Sequence, residues 1–246
     1  METWLGLLFL IIFVVLMLVY MALGRKHQTR DLRDIAAFTR LRRMVGLAVE
    51  AGTRIHISLG RGGVSGVQGA SAIVGLTMLE RVARAASISD RPPIATSGEG
   101  VLNLLSQSTL QGAYHTMGAE AQYDPQAGQM SGITPFSFAA GVMSTIHDEQ
   151  VSANLLAGNF GSEVVLLTEA SERSGGVTIA GSDHLLAQAV LYASASEPLV
   201  GEELYAGGAY LGAGPAHSAS LKTQDIMRWV LIAALIIVSV AKFMGF

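Results

Sequence analysis

Two long apolar runs bracket this chain, and every other feature has to be accommodated between them. Residues 4 to 23 (Trp4-Leu-Gly-Leu-Leu-Phe-Leu-Ile-Ile-Phe-Val-Val-Leu-Met-Leu-Val-Tyr-Met-Ala-Leu23) contain no charge, and residues 229 to 241 (Trp229-Val-Leu-Ile-Ala-Ala-Leu-Ile-Ile-Val-Ser-Val-Ala241) repeat the pattern near the other end. A bilayer core of ~30 Å takes about 20 apolar residues at ~1.5 Å rise each. The first run meets that length unaided, and its Leu, Ile, Phe and Val residues together favour insertion by roughly 5 kcal/mol or more. The second meets it when counted from Arg228 to Phe246, because the apolar stems of Arg228 and Lys242 let their charges reach the two interfaces. The expected organisation is a span over 1–24, a basic juxtamembrane helix over 25–53, a domain over 54–211, a linker over 212–225 and a second span over 226–246.

Charge sets the expected orientation. Met1-Glu2-Thr3 precedes the first run and the basic residues follow it, which is the reverse of a cleaved signal sequence. Arg25, Lys26, Arg30, Arg33, Arg40, Arg42 and Arg43 follow the first span, and Lys222 and Arg228 precede the second. Positive residues stay on the cytoplasmic side, so both termini are expected outside an inner membrane and the domain inside the cell.

The formal net charge of -3 conceals a division along the chain. From Gly24 to Arg91 there are 12 basic and 5 acidic residues; from Pro92 to Leu221 there are 12 acidic residues and one basic residue, Arg173. The basic part is a collar suited to a bilayer surface, either through topology alone or through acidic lipid. The acidic part holds 13 charges in 130 residues, against about a quarter of positions in ordinary soluble domains. Much of its surface is therefore neutral or apolar, which suggests burial against copies of itself or other membrane subunits. Nucleic acid is not an expected partner, since phosphate would meet an acidic domain.

Between Asp34 and Glu50, Ile35, Phe38, Leu41, Val45 and Val49 recur at three- and four-residue steps, which predicts an amphipathic helix ended by Gly52. Strands are then predicted at 55–59, 93–96, 119–123, 151–157 and 177–180, with helices near 67–86, 101–117, 135–149, 162–172 and 183–193. The helix near 67–86 is apolar enough to predict that it lies between layers. Glu197 to Tyr210 is read as a last helix, and Gly212 to Ser220 as a flexible link. This alternation predicts a Rossmann-like α/β domain, a mainly parallel sheet with helices on both faces.

Several chemistries are excluded by what the chain lacks. Without cysteine there is no thiolate nucleophile, disulfide or iron–sulfur cluster. No lysine lies between Lys26 and Lys222, which removes a P-loop lysine and a Schiff base from the domain. Histidines at 27, 56, 115, 147, 184 and 217 have no metal-ligand spacing, and the consecutive His147-Asp148-Glu149 point about 100° apart on a helix. No catalytic set or metal site is implied, and the cofactor is left unknown.

The sharpest local signal is Gly60, Gly62, Gly63 and Gly66, a glycine loop between a predicted strand and a predicted helix. Such a loop can receive an anion on its amides with Arg61 adding charge, or it can be a structural turn. Ser65 stands where the last glycine of G-x-G-x-x-G would be, and no ribose-binding carboxylate follows at the expected distance. Parallel sheets bind ligands beyond the carboxyl ends of their strands. The candidate crevice there comprises Gly60, Arg61, Gly62, Gly63, Ser65, Gly66, Ser97, Glu99 and Asp183.

Leu59-Gly-Arg-Gly-Gly-Val-Ser-Gly66 and Ala95-Thr-Ser-Gly-Glu-Gly100, set between two terminal spans, resemble an uncharacterised family of bacterial membrane proteins known only as a domain of unknown function. That resemblance implies no activity and no catalytic residue. Two functions are expected from the residues themselves: a non-enzymatic, oligomeric scaffold or accessory subunit of a membrane complex, or a tethered domain binding a small anionic ligand such as a nucleotide. A channel is disfavoured, because neither span carries a buried charge.

Overall fold

The structure is a computed structural model that describes residues 2–23, 32–66 and 69–244. It divides into two compact units, one formed by 1–33 with 212–246 and the other by 34–211. The chain opens with α1 (Glu2–Leu23) and α2 (Ala36–Ala51), followed by β1 (Arg54–Gly60), α3 (Gly69–Ala85), β2 (Ile94–Ser97) and α4 (Gly100–Met117). Then come β3 (Gly128–Met130), α5 (Pro135–Asp148), β4 (Val151–Asn159), α6 (Val164–Arg173), β5 (Val177–Ser182) and α7 (Leu185–Ser194). β6 (Glu197–Leu199), α8 (Gly207–Tyr210) and α9 (Pro215–Phe243) complete it.

In the smaller unit α1 and α9 pack against each other. Both are long and apolar enough to cross a membrane, with mean hydropathy 3.0 over Gly6–Leu23 and 2.1 over the apolar part of α9. Arg25, Lys26 and Arg30, which set much of the expected orientation, lie outside the described residues.

The larger unit is a six-stranded sheet of order β3-β2-β1-β4-β5-β6, with every pairing parallel. The α/β fold and parallel sheet are those read from the sequence, and the order is that of a doubly wound Rossmann sheet. From β1 the chain steps outward to β2 and β3, returns across β1 to β4, and steps outward again to β6. Right-handed crossovers therefore place α3 and α4 on one face and α5, α6 and α7 on the other. The core divides accordingly. Ile55, Ile57 and Leu59 pack with α2, α3 and α4, while Leu156 and Ala180 pack with α5, α6 and α7.

α2 follows its sequence pattern. Phe38, Leu41 and Val45 are buried, Phe38 stacks on Tyr210 at 4.7 Å between ring centroids, and Gly52 ends the helix at φ 62. Burying side chains of this size is worth about 1.5–3 kcal/mol each, so this face belongs to the core of the 34–211 unit.

Four local readings are corrected. The strand expected at 119–123 is a 3₁₀ turn over Glu120–Gln122, and the strand is Gly128–Met130, inside a stretch expected to be loop. It exists because β2 offers it partners, Ala95 to Gly128 and Ser97 to Met130. The helix expected over Glu197 to Tyr210 is instead β6, a 3₁₀ turn (Gly201–Ala206) and α8, since Gly201 takes φ 60 and breaks the run. The flexible link over 212–220 is mostly the start of α9, where Pro215 sits in the first turn and needs no N–H partner. Finally, α3 is not enclosed between layers: Ile73 is 55% exposed. Its small residues serve close approach, because a Cβ at Gly75 would overlap the Ala157 carbonyl oxygen of β4.

Candidate functional site

In a parallel sheet all the strands release their chains at one edge, and the junction between β1 and β4 is the point where strand order reverses. A ligand crevice is expected outside that junction. The structure brings there the glycine loop after β1, Ser97 and Glu99 after β2, and Asp183 after β5. It adds Asn159 and Glu163 from the turn after β4, which the sequence reading did not select.

The crevice is occupied by the chain itself. Gly60 takes φ 76, and a Cβ there would overlap the carbonyl oxygen of Asn159. The Arg61 backbone N–H donates to Asn159 O at 2.9 Å, and Gly98 N–H donates to Gly60 O at 2.9 Å, so the loops after β1, β2 and β4 are stitched together. Gly62 is buried with its α-carbon against the Asn159 side chain. These glycines are thus required by backbone packing. Gly63 is half-buried, while Ser65 and Gly66 are exposed and apart from these contacts.

The charged residues are also engaged. Arg61 Nε donates to Glu163 Oε1 at 2.9 Å, with the Glu163 side chain only 5% exposed. Burial alone would raise the Glu163 carboxyl. Its own backbone N–H, the Gly161 N–H at 3.1 Å and the Arg61 guanidinium outweigh burial and hold it below the ordinary carboxylate range. Glu99 caps α4 by accepting the Leu102 N–H at 2.7 Å, where the helix dipole favours a carboxylate. Asp183 accepts from Asn159 Nδ2 and from Ser71 Oγ, each at 2.7 Å. Ser71 lies in the first turn of α3, so a carboxylate of the chain holds the place at which a phosphate would approach that helix. Ser97 is buried, with its hydroxyl 3.5 Å from Glu99 O. Tyr205 faces this side too, its hydroxyl pKa raised by burial and by the Asp183 charge.

Exposed apolar side chains lie in several of the segments that follow the strands. Leu104 in α4, Ile133 and Phe136 at the start of α5, and Leu185 and Leu186 at the start of α7 are between 64% and 78% exposed. They are invisible to a motif search, yet the starts of helices that follow parallel strands, which hold Phe136, Leu185 and Leu186, fall on the carboxyl edge.

A second polar cluster was also missed, and it lies inside the sheet. His56, at the centre of β1, is fully buried, with Nδ1 2.6 Å from Asn154 Oδ1 on β4 and Nε2 2.8 Å from Thr96 Oγ1 on β2. Asn154 Oδ1 can only accept, so Nδ1 carries the proton and Nε2 accepts from Thr96. Ser58 lies 3.0 Å from Thr96, and Asn154 Nδ2 lies 3.5 Å from Thr178 of β5, completing a belt across four strands. Burial lowers the His56 pKa to about 4, against a smaller raising effect from Asn154. The ring is neutral and enclosed, hence structural.

Among the described residues no three His, Asp or Glu side chains converge as a metal site. Glu149, of the suggestive His147-Asp148-Glu149 run, instead binds Arg54 Nη2 at 2.9 Å.

The full chain, residues 1–246, matches the family described as "Domain of unknown function (DUF6754)". It belongs to that family. No curated protein and no solved structure matches it.

Proposed function

We propose that this protein is a membrane-anchored scaffold or accessory subunit. In this reading α1 and α9 hold it in the inner membrane, the 34–211 unit lies on the cytoplasmic side, and copies associate through the apolar rim at the carboxyl edge of the sheet. The observation that carries the reading is the exposure of large apolar side chains in the segments after the strands, with Leu185 78%, Phe136 75% and Ile133 71% exposed. Scattered exposed apolar residues are ordinary, but several at one edge form the kind of patch that marks an interface. The low charge of the acidic part supports the same reading, because interface cores are depleted in charge. The basic residues between the spans support the orientation.

The crevice is a poor receiver of an anion. Among the described residues Arg61 is the guanidinium paired at this edge, and its partner is Glu163, with the carboxylates of Glu99 and Asp183 on the neighbouring loops. A nucleotide phosphate would meet net negative charge and would have to displace contacts the loops need.

Mass photometry of the full-length chain, in detergent and in nanodiscs, tests the assignment. Wild type is expected at a multiple of the 25.8 kDa chain mass after subtraction of the carrier. The double substitution Phe136→Ser, Leu185→Ser is expected to shift it to single copies while the fold persists. A single-copy wild type at every concentration overturns the proposal.

A further inference from the structure

From Asp34 to Leu211 the chain holds 16 acidic residues and nine basic ones, all nine arginine. Among the described residues seven of the nine are engaged. Arg40 pairs with Glu197, Arg54 and Arg91 with Glu149, Arg61 with Glu163, Arg84 with Glu80 and Arg173 with Glu169, and Arg81 is engaged too. The two that make no ion pair with a described residue are Arg42 and Arg43, neighbours in α2 and both exposed. In a unit with an excess of carboxylates, the uncompensated positive charge is thus gathered at one place.

α2 is fixed by its other face. Phe38, Leu41, Met44, Val45 and Ala48 are buried, so the helix presents the same side outward wherever the unit goes. On that side Arg42 with Gly46, and Arg43 with Leu47, form two adjacent rows of residues four apart. Leu47 is 54% exposed. Gly46 is exposed, and a Cβ there would meet nothing within 4 Å. Packing within the chain therefore gives no reason for a residue that weakens a helix interior. Glu50, two turns beyond Arg43, is the one carboxylate within α2.

We propose that this face of α2 docks on the surface of an anionic bilayer. Arg42 and Arg43 meet lipid phosphates, Leu47 enters the interface beside the apolar stem of Arg43, and Gly46 lets headgroups approach the helix backbone. The proposal rests on the reading that α1 and α9 span a membrane, but not on self-association.

Charge and composition select this partner. Guanidinium matches phosphate through its planar fork of donors, and it needs no rearrangement here because neither group has a carboxylate to leave. Arginines alongside an exposed leucine are the composition by which a helix holds to a membrane interface, with the charge at the headgroups and the carbon below. Reach supports it too. Twelve residues separate Leu23 from Ala36, and such a length extends at most about 45 Å, so a bilayer crossed by α1 is accessible to α2. The basic collar thereby acquires a definite surface, and one that is part of the folded unit.

The test uses the full-length chain in nanodiscs of phosphatidylcholine alone or mixed equally with phosphatidylglycerol. The sequence has no cysteine, so Leu47→Cys supplies one site for a nitroxide. Electron paramagnetic resonance then compares its collisions with a water-soluble nickel chelate and with oxygen, which concentrates in lipid. Tyr192→Cys is the control, 73% exposed on α7 at the opposite face of the sheet. With phosphatidylglycerol present, the label at position 47 is expected to lose contact with nickel and gain contact with oxygen, while the label at position 192 does not change. Adding Arg42→Gln and Arg43→Gln lowers the ratio of docked to undocked states about thirtyfold, roughly fivefold for each charge. Arg42→Lys with Arg43→Lys keeps the charge and the protection.

A label at position 47 that stays open to nickel in both lipids overturns the docking. Equal shielding in phosphatidylcholine alone assigns the face to a protein contact and overturns it as well. So does undiminished protection in the double glutamine variant with a wild-type circular dichroism spectrum. Extraction of the chain from vesicles by alkaline carbonate overturns the anchoring, and with it the tether on which the docking rests; a chain that resists extraction with its label in water overturns the docking alone.

Discussion

Acid should weaken the 34–211 unit through one side chain, His56. Its ring is enclosed in the sheet and its pKa is lowered from 6.5 to about 4. The folded-state value lies below the unfolded one, so the unfolded chain binds more protons between those limits. Stability is fully present above about pH 6.5 and falls as pH drops toward 4. Each unit of difference is worth about 1.4 kcal/mol, which makes the total about 3 kcal/mol. Some 2 kcal/mol of this is lost by pH 5. At roughly 2–4 °C per kcal/mol for a unit of this size, the melting temperature should drop by about 4–8 °C between pH 7.5 and 5 from this group alone. Other groups titrate as well, so the informative quantity is a difference between two proteins. His56→Gln can still donate to Asn154 and accept from Thr96, but it cannot take up a proton. The assay is thermal unfolding by circular dichroism of the full-length chain in micelles, at half-unit pH steps. The variant's starting stability reflects different packing of its side chain, so the test is its decline with acid, which should be shallower by the stated amount. Parallel declines for the two proteins would refute the argument that burial, uncompensated by the belt, excludes the imidazolium.

Two other substitutions probe the packing. Arg61→Gln should destabilise the unit by about 2–3 kcal/mol in urea unfolding, since it strands the Glu163 carboxylate beneath it, with Arg61's 23% exposure moderating the loss. Adding Glu163→Gln should recover part of that cost, whereas purely additive losses would deny the coupling. Tyr114→Phe should stabilise by about 1 kcal/mol, because the Tyr114 hydroxyl is buried with no hydrogen-bond partner among the described residues. Burial also pushes that phenol up to about 12 despite the opposing Arg54 charge. A loss of stability in calorimetry would mean that the hydroxyl has a partner in solution.

Periodicity carried the large elements because their burial is one-sided or complete. α2 was readable from Ile35, Phe38, Leu41 and Val45, and β1, β4 and β5 from runs bounded by small residues. What failed was short and borrowed. β3 has three residues, among them Gly128, and no strand propensity of its own; its register with Ala95 to Ser97 comes from a partner 33 residues earlier. β6 contains Pro198, which suits an edge and reads as a break. Pro215 was read as part of a link for the same reason, although a proline in a helix's first turn starts it. At the carboxyl edge the sequence located the loops correctly, since βα connections follow from strand direction. It could not show that Arg61 would meet Glu163, 102 positions away. Nor could it show that His56 would find Asn154 and Thr96, because each is one polar residue within an apolar strand.

The state of the carboxyl edge bears on what such a fold can present there. In a doubly wound sheet the β1–β4 junction leaves helix N–H groups and loop amides facing a gap, and a bound phosphate commonly fills it. Here the chain supplies the filling. Asp183 reaches the Ser71 hydroxyl in the first turn of α3, Glu163 takes the Gly161 N–H and Arg61, and Glu99 takes the Leu102 N–H. Three carboxylates thereby stand where external anions would otherwise be recruited. Beside these internally engaged polar groups, Leu104, Ile133, Phe136, Leu185 and Leu186 are exposed apolar side chains in the segments that follow the strands. An edge with its polar groups satisfied internally and its apolar groups turned outward loses little on desolvation and gains from contact. Those are the terms on which a surface associates with protein, and they make the rim, rather than the glycine loop that first draws attention, the part of this edge to mutate.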